Sequence, residues 1–391
     1  MLRKVKDYII DFIKGTDKLL LLLCMITSAF GILSVYSAKL RTVTEEAPIP
    51  RDVRTMLIAV IIGLVLAIIV SLIDYDIICK LWPACAALGI ILMILVLIIG
   101  VGPPERPDSK VWIDLKIFYF QPSELVKILF VITFSVHLNA VKQSINKIGT
   151  LALLAVHAII PVGLVMISGD DGSALVFILI AIAMIFIVGI NWKYILSGVV
   201  LALVAIPLMW VKLSNFQKER FIVIFNPDAY PETAYQQNRS IAAISQGGFF
   251  GSGLFKGAYT QSGSIPVSES DLIFAVIGEE LGMLGALVAM LLIGAIIFRL
   301  IIVGRKAVNG TAFLICFGLA AMIAAQSIIN IAMCLRVGPV IGITLPFFSA
   351  GGSSSLCLYI GMGLAFSIYR SVYNQRPSNF RLSAIRSPFS A

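Results

Sequence analysis

Apolar runs near twenty residues recur along the chain, at about 19–38, 56–73, 81–100, 122–140, 150–168, 172–190, 193–211, 271–298, 311–334 and 352–370. As a helix, each run is long enough to cross a hydrocarbon core about 30 Å thick. The pattern predicts an all-α polytopic membrane protein with about ten transmembrane helices. Pro83 and Pro122 fall near the starts of their runs, where a helix tolerates proline. The first run is too long for a signal-peptide core and reads as an uncleaved first span.

Most connections are short, with two exceptions. The stretch 101–121 sets Trp112 among charges and other aromatic residues, and the stretch 212–270, between the seventh and eighth spans, is dense in Phe, Tyr, Pro, Gly, Gln and Asn. Long connections in compact proteins are functional or disordered, and this composition suits an ordered cap. Residues 1–370 read as a single transmembrane domain and 371–391 as a solvated basic tail. There is no fixed-period repeat and no soluble enzymatic domain.

Composition narrows the class. The chain is 59% hydrophobic and 13% charged, and its mean hydropathy of +0.99 excludes a soluble globular protein. The net charge of +9 comes largely from clusters at Arg3, Lys4, Lys6, Lys14 and Lys18, at Arg299, Arg305 and Lys306, and at Arg370, Arg376, Arg381 and Arg386. With ten spans these clusters share one side, so the positive-inside rule places both termini in the cytoplasm and 212–270 outside. Lys39, Arg41, Arg51 and Arg54 run against the pattern. Basic cytoplasmic ends hold anionic lipid headgroups, which accounts for the charge without nucleic acid. The six cysteines lie in or beside spans and read as small packing residues rather than a disulfide framework.

The chemistry has few candidates. His137 and His157 both lie inside apolar runs, which disfavours histidine-based hydrolysis and zinc. The stretch GGFFGSG at 247–253 lacks the Lys-Ser/Thr of a phosphate loop, so no nucleotide site is expected; its glycines suit tight turns or close backbone approach. A haem is not expected either.

Carboxylates remain. In SESDLIFAVIGEELGMLG, residues 268–285, Asp271, Glu279 and Glu280 sit in apparent membrane helix, where an ionisable group costs roughly 2.5 to 3.5 kcal/mol and is functional by default. On one continuous helix, Asp271, Ala275, Gly278, Gly282 and Gly285 stay within about 40° of a line, a small-residue stripe for a helix or lipid chain. Glu279 then lies about 80° around and Glu280 roughly opposite, so the two glutamates cannot share a role. Each is either functional or an interhelical partner, and Asp271 is either a reacting carboxylate or a helix cap. In FQPSELVKI, Pro122 suits the first helical position, and Glu124 faces Lys127 three residues on, expected as a supporting pair. Asp170 and Asp171 occupy a turn, where solvated loop charge is the plain alternative. LPFFSAGGSSSL at 345–356 is a small-residue break ahead of the last span, of the kind that lines cavities.

Taken in order, these stretches resemble the SEDS family (shape, elongation, division and sporulation), typified by RodA, FtsW and SpoVE. The matching stretches are W-I-D…F-Q-P-S-E-L-V-K from Trp112 to Lys127 and R-F…N-P-D…Y-Q-Q-N-R-S-I-A-A-I-S-Q-G-G-F-F-G-S-G-L from Arg220 to Leu254. S-D-L-I-F-A-V-I-G-E-E-L-G and G-I-T-L-P-F-F-S-A-G-G-S-S follow. The chain departs from the family at Ser168-Gly169-Asp170-Asp171-Gly172, where Gln-Pro-Asp-Leu-Gly is usual. It departs again at Glu269 or Ser270, where His or Gln is frequent, and at Ala350, where Tyr or Thr is frequent.

The resemblance implies a peptidoglycan glycosyltransferase of the bacterial plasma membrane. Such an enzyme polymerises lipid II with undecaprenyl-pyrophosphate as leaving group, alongside a class B penicillin-binding protein that cross-links the product. It places the essential aspartate on Asp271 as general base, with Mg2+ or Mn2+ as a candidate ion there. Arg220, Lys127 and Arg239 are the candidate cations for the pyrophosphate. Trp112, Glu124, Asp170, Gln236, Glu279, Ser349 and Ser353 complete the expected supporting set. A lipid flippase or transporter and a noncatalytic scaffold are the alternatives, since broken helices and intramembrane acids also mark transporters.

Overall fold

The computed structural model describes residues 15–102, 109–116 and 118–375. The expectations for the basic residues up to Lys14, for residues 103–108 and 117, and for the tail beyond 375 lie outside the described residues. Helices fill most of the described residues. They are α1 (Lys18–Ala38), α2 (Arg51–Leu72), short α3 (Tyr75–Lys80), α4 (Trp82–Ile99), α5 (Pro122–Val141), α6 (Ile148–Ile167), α7 (Asp171–Val188) and α8 (Trp192–Lys212). After them come α9 (Asn215–Phe225), α10 (Pro231–Gly247), α11 (Ala258–Ser262), α12 (Ile273–Arg305), α13 (Gly310–Cys334) and α14 (Gly352–Gln375). A two-stranded hairpin pairs β1 (Ile113–Asp114) with β2 (Tyr119–Phe120) in antiparallel register, Ile113 opposite Phe120.

Each predicted span coincides with a helix. Among the described residues nine helices are long and apolar enough to cross a membrane, and the tenth, α8, carries a shorter apolar stretch at Trp192–Leu201. α13 and α14 are about two-thirds buried over their apolar windows and α5 nearly so, whereas α4 and α6 are 17% buried. The first three form the centre of the bundle, and the last two turn side chains such as Ile91, Ile98, Leu153 and Ile159 outward. That much exposed aliphatic surface is stable only against lipid. α2 lies along α14 with little space between them: a Cβ on Gly63 would press on Tyr359, and one on Gly363 on Ala67. The Tyr359 hydroxyl, buried beneath α1, shares a 2.8 Å hydrogen bond with Ser28.

Helices that alternate in direction give the bundle two ends. One carries the hairpin, the 212–270 region and the 335–351 connection; we term it the cap end. The other carries both ends of the described chain, where Gly15 packs on Arg370, and the links around Tyr75, Lys142 and Asn309. The 212–270 stretch is an ordered helical cap: α9 opens with a Ser214 capping box, and α10 and α11 follow.

The small-residue stripe expected along 271–285 does not form as one line. α12 is broken at Gly282, whose φ of 66° and ψ of −163° suit only glycine. A break at membrane depth strands backbone donors and acceptors, and these must be met by protein. The 247–253 stretch supplies the partners. Ser252 and Gly253 donate N–H bonds to the carbonyls of Glu279 and Glu280 (both 2.9 Å), while Met283 and Leu284 donate to Gly248 and Phe249 (2.9 and 3.2 Å). Gly251, at φ 82°, lets that backbone lie against Glu280, where a side chain would collide. The glycines of GGFFGSG thus serve close approach, as the sequence suggested.

Candidate functional site

Asp271 lies in a turn just outside α12: Leu272 takes the N-cap position, so Asp271 is neither the first helical residue nor the cap. The reason is that three successive carbonyls are held by other segments. The Glu269 carbonyl accepts the Ala350 N–H (2.8 Å), the Ser270 carbonyl accepts the Ser349 hydroxyl (2.6 Å), and the Asp271 carbonyl accepts the Asn330 side-chain amide (2.8 Å). Asn330, fully buried on α13, also donates to the Ile343 carbonyl at 2.7 Å, and Ser349 accepts the Leu345 N–H at 2.8 Å. The Glu269 carboxylate pairs with Lys39 at the end of α1 (2.9 Å), which also faces Asp52 at 3.6 Å. The backbone is therefore fixed at each residue leading into Asp271, while its side chain remains partly exposed and faces Gly342.

A second cluster forms around Asp170. It caps α7 through the Ser173 N–H (3.0 Å) and accepts the Gln121 amide (2.8 Å) and the Ser123 hydroxyl (2.9 Å). Asp171 accepts the Gln217 amide of α9 at 2.8 Å. Neither aspartate is plain solvated loop charge; the turn is a docking point for the FQPSE segment and for α9. Ser353 on α14 accepts the Gln121 N–H (2.9 Å) and donates to the Tyr119 carbonyl (3.0 Å), which fixes the hairpin whose Trp112 and Tyr119 rings lie 5.9 Å apart. Below it, Lys127 donates to Glu124 at 2.8 Å, and its side chain is fully enclosed. Such a pair is held together by the cost of stranding either charge. Lys127 is thus a buried member of a pair rather than a cation at the surface.

The 335–351 connection joins the two clusters. Gly342 is beside the Asp271 carboxylate, while its neighbours Ile341 and Ile343 press on Gly172 of the Asp170 turn. α10 seats on the end of α13 through Gln237, which donates to the carbonyls of Met333 (3.2 Å) and Gly338 (2.7 Å), and through Ser240, which donates to Cys334 (2.8 Å). Gln236, the expected residue, is the half-buried neighbour; the anchoring amide belongs to Gln237. Arg239 stacks over the Tyr235 ring at 5.1 Å, and Arg220 is half-buried on α9.

The two glutamates do share a role, against expectation. Glu279, fully buried, accepts the N–H groups of Tyr259 (2.7 Å) and Thr260 (2.9 Å) and the Thr260 hydroxyl (2.6 Å). Glu280 accepts the Ser37 hydroxyl, the Phe255 N–H (3.1 Å) and the Gln261 amide (3.0 Å). Against straight neighbouring helices, the two carboxylates would meet different partners. Here the 252–261 segment wraps the break and presents donors to both faces, so both carboxylates anchor the same strap.

Sequence reasoning missed Asn330, Gln237, Ser240, Gln121, Ser123 and Lys39. Asn330 carried a signal, being a polar residue within an apolar run. Gln121 and Ser123 lie within FQPSELVKI, the stretch singled out for Glu124 and Lys127. Lys39 showed only as a cation against the positive-inside pattern. Among the described residues no three metal-binding side chains cluster. A divalent ion at Asp271 would therefore be held by that carboxylate, substrate phosphates and water, which is how Mg2+ is ordinarily bound.

The family model described as Cell cycle protein, FtsW/RodA/SpoVE, matches residues 17–374. The chain belongs to this family. Among its relatives, the probable peptidoglycan glycosyltransferase FtsW of Trichlorobacter lovleyi is 30% identical over 90% of this chain and 92% of that one. FtsW of Bacillus subtilis strain 168, of the same description, is 31% identical over 91% of both chains. The peptidoglycan glycosyltransferase MrdB of Escherichia coli K12 is 31% identical over 72% of this chain and 76% of that one. A chain from a solved peptidoglycan synthase complex, described as coordinating polymerization and crosslinking, superposes with a TM-score of 0.78. It is 27% identical and covers 92% of this chain and 98% of that one. The Thermus thermophilus rod shape determining protein RodA shares the fold, with a TM-score of 0.66 at 24% identity over 92% of this chain and 98% of that one.

Proposed function

We infer that this chain is a peptidoglycan glycosyltransferase that polymerises lipid II into glycan strands at the outer face of the bacterial plasma membrane, releasing undecaprenyl-pyrophosphate. What carries the reading is the match over about nine-tenths of the chain to relatives of that name. The charge pattern, with both termini cytoplasmic, puts the cap end and Asp271 outside, at the level of lipid headgroups.

The chemistry assigned to the site is one inverting displacement. The acceptor sugar's hydroxyl oxygen bonds to the donor's anomeric carbon as the bond from that carbon to the pyrophosphate oxygen breaks. Asp271 takes the hydroxyl proton, and the electron pair leaves with the pyrophosphate. The three held carbonyls favour this role, since a carboxylate on a fixed backbone is oriented before substrate arrives. Asp271 would also hold Mg2+ or Mn2+, which supplies charge stabilisation to the departing pyrophosphate when bound. Arg220 and Arg239 on the cap are the candidate cations from the chain itself. Lys127 and Glu124, enclosed together, support the fold beneath the site; Trp112, Asp170 and Ser353 hold the hairpin and turn, Ser349 holds the segment around Asp271, and Glu279 anchors the 252–261 strap.

A class B penicillin-binding protein is the proposed partner, supported by the likeness to the synthase complex that couples polymerization to crosslinking. Purified protein with labelled lipid II, with and without such a partner, tests the whole reading. Glycan ladders support it. Lipid translocation without polymer would make the chain a flippase, and neither product a scaffold.

A further inference from the structure

Arg336 stands one residue beyond the C-cap of α13, at the cap end, with a φ of 56°. Its N–H donates to the Met333 carbonyl at 3.2 Å, and the next N–H, of Val337, donates to the Ala332 carbonyl at 2.9 Å. These two bonds make a Schellman turn, whose left-handed residue is ordinarily glycine because a side chain there crowds its own backbone. A long cationic side chain stands here instead.

The helix end gives no reason for it. A cation near a helix C-terminus is favourable where carbonyls lack donors, but those of α13 are already met. Ile331 accepts from the Leu335 N–H, Ala332 from Val337, Met333 from Arg336's own N–H and from Gln237, and Cys334 from Ser240. Gln237 and Ser240 also seat α10 from buried positions, so the guanidinium is not needed for that contact. It turns outward instead: Nη1 donates one bond, at 3.0 Å, to the exposed Asn238 Oδ1. Its other donors meet no acceptor among the described residues. Strain of this kind at a residue other than glycine, with an oriented and largely unused guanidinium, points to a use beyond the fold.

The place of Arg336 limits what it can meet. The Asn330 amide and the Cys334 thiol both face the Asp271 carbonyl, at 2.8 and 3.7 Å, and Arg336 follows Cys334 on the side away from the membrane. In lipid II the pyrophosphate joins the sugar to the polyprenyl chain and so lies on the membrane side. The peptide carried by that sugar extends outward and bears carboxylates, which a guanidinium fork matches. Resting on the glycosyltransferase reading, we propose that Arg336 is a specificity residue that binds a carboxylate of the lipid II peptide, with Asn238 as the positioning residue that sets its fork.

Full-length protein in detergent is titrated with lipid II and with the same lipid whose peptide carboxylates are converted to amides, and polymerisation and thermal unfolding are followed beside it. Wild type should bind the acid form about tenfold more tightly than the amide form. Arg336→Gln keeps the left-handed strain and removes the charge; it should bind both forms at the weaker level, with the loss in KM rather than kcat. Arg336→Gly should lose the same preference yet melt no lower than wild type, since the turn then carries the residue it favours. A purely structural Arg336 would lower the melting temperature and leave the preference intact, which would overturn the proposal. Equal weakening toward acid and amide forms would move the guanidinium to the pyrophosphate and overturn it too. Unchanged binding of both lipids, with loss of a cognate penicillin-binding protein instead, would assign the surface to a protein partner and also overturn it. Wild-type protein that prefers the acid form but makes no glycan would keep the peptide site and refute the glycosyltransferase reading.

Discussion

Replacing Asn330 tests whether the turn around Asp271 is held in place or merely rests there. The Asn330 amide donates to the carbonyls of Asp271 and Ile343 at 2.8 and 2.7 Å from a fully buried position. Asn330→Leu keeps the approximate size and removes both donors. A buried carbonyl left unpaired costs about 1 to 3 kcal/mol, so two cost about 2 to 6 kcal/mol if nothing moves. The Cys334 thiol, 3.7 Å from the Asp271 carbonyl, is too weak a donor to replace the amide. The turn is the cheaper part to move, because Asp271 is partly exposed and its carbonyl can reach water. We therefore expect a small fall in melting temperature and a large fall in turnover. A shift of about 1 Å in a reacting group costs on the order of a hundredfold. The assay is polymerisation of labelled lipid II beside thermal unfolding in the same detergent, with binding of substrate measured separately. Wild-type turnover in a folded Asn330→Leu protein would refute the positioning argument.

Three further outcomes follow from the same geometry. Glu124→Ala or Lys127→Ala alone should each lower folding yield strongly, by about 3 to 5 kcal/mol in stability, with the double change milder than the sum; additive losses would mean that the two residues act separately. Glu279→Gln removes the charge that three donors from Tyr259 and Thr260 share, so proteolysis within 252–261 should rise while the spans stay protected; an unchanged digestion pattern would count against the strap. In a background without the six native cysteines, a cysteine at Ser262 should react with impermeant reagent from outside the cell, and labelling only from the cytoplasm would invert the proposed topology.

The spans were legible because hydropathy over twenty residues is a local signal, and so was the Glu124–Lys127 pair, three residues apart on one helix. Pro122 at the first turn of α5 and the glycines of GGFFGSG were read from their own backbone chemistry. What escaped the sequence depends on contacts between distant segments. The break at Gly282 forms because the 247–253 backbone satisfies it, and a glycine in an apolar run does not announce such a partner. Asp170 looked like a loop charge until Gln121 and Ser123, nearly fifty residues earlier, were brought to it. Glu279 and Glu280 point from different faces of a helix, and only the wrapping of 252–261 gives them one task. Asp271 was singled out by its place in the chain, whereas the three carbonyl contacts that hold it come from α13 and the 345–350 loop.

Asp271→Asn tests the central claim most directly. Asparagine keeps the shape and leaves the Asn330 contact to the backbone carbonyl intact, but it cannot accept a proton or hold a cation well. General-base catalysis contributes typically about 10²- to 10⁴-fold. The account expects a folded protein that binds its penicillin-binding protein partner normally and polymerises lipid II at least about a hundredfold more slowly. Glycan synthesis by Asp271→Asn at near wild-type rate would contradict it and move the reacting carboxylate elsewhere, to Asp170 first.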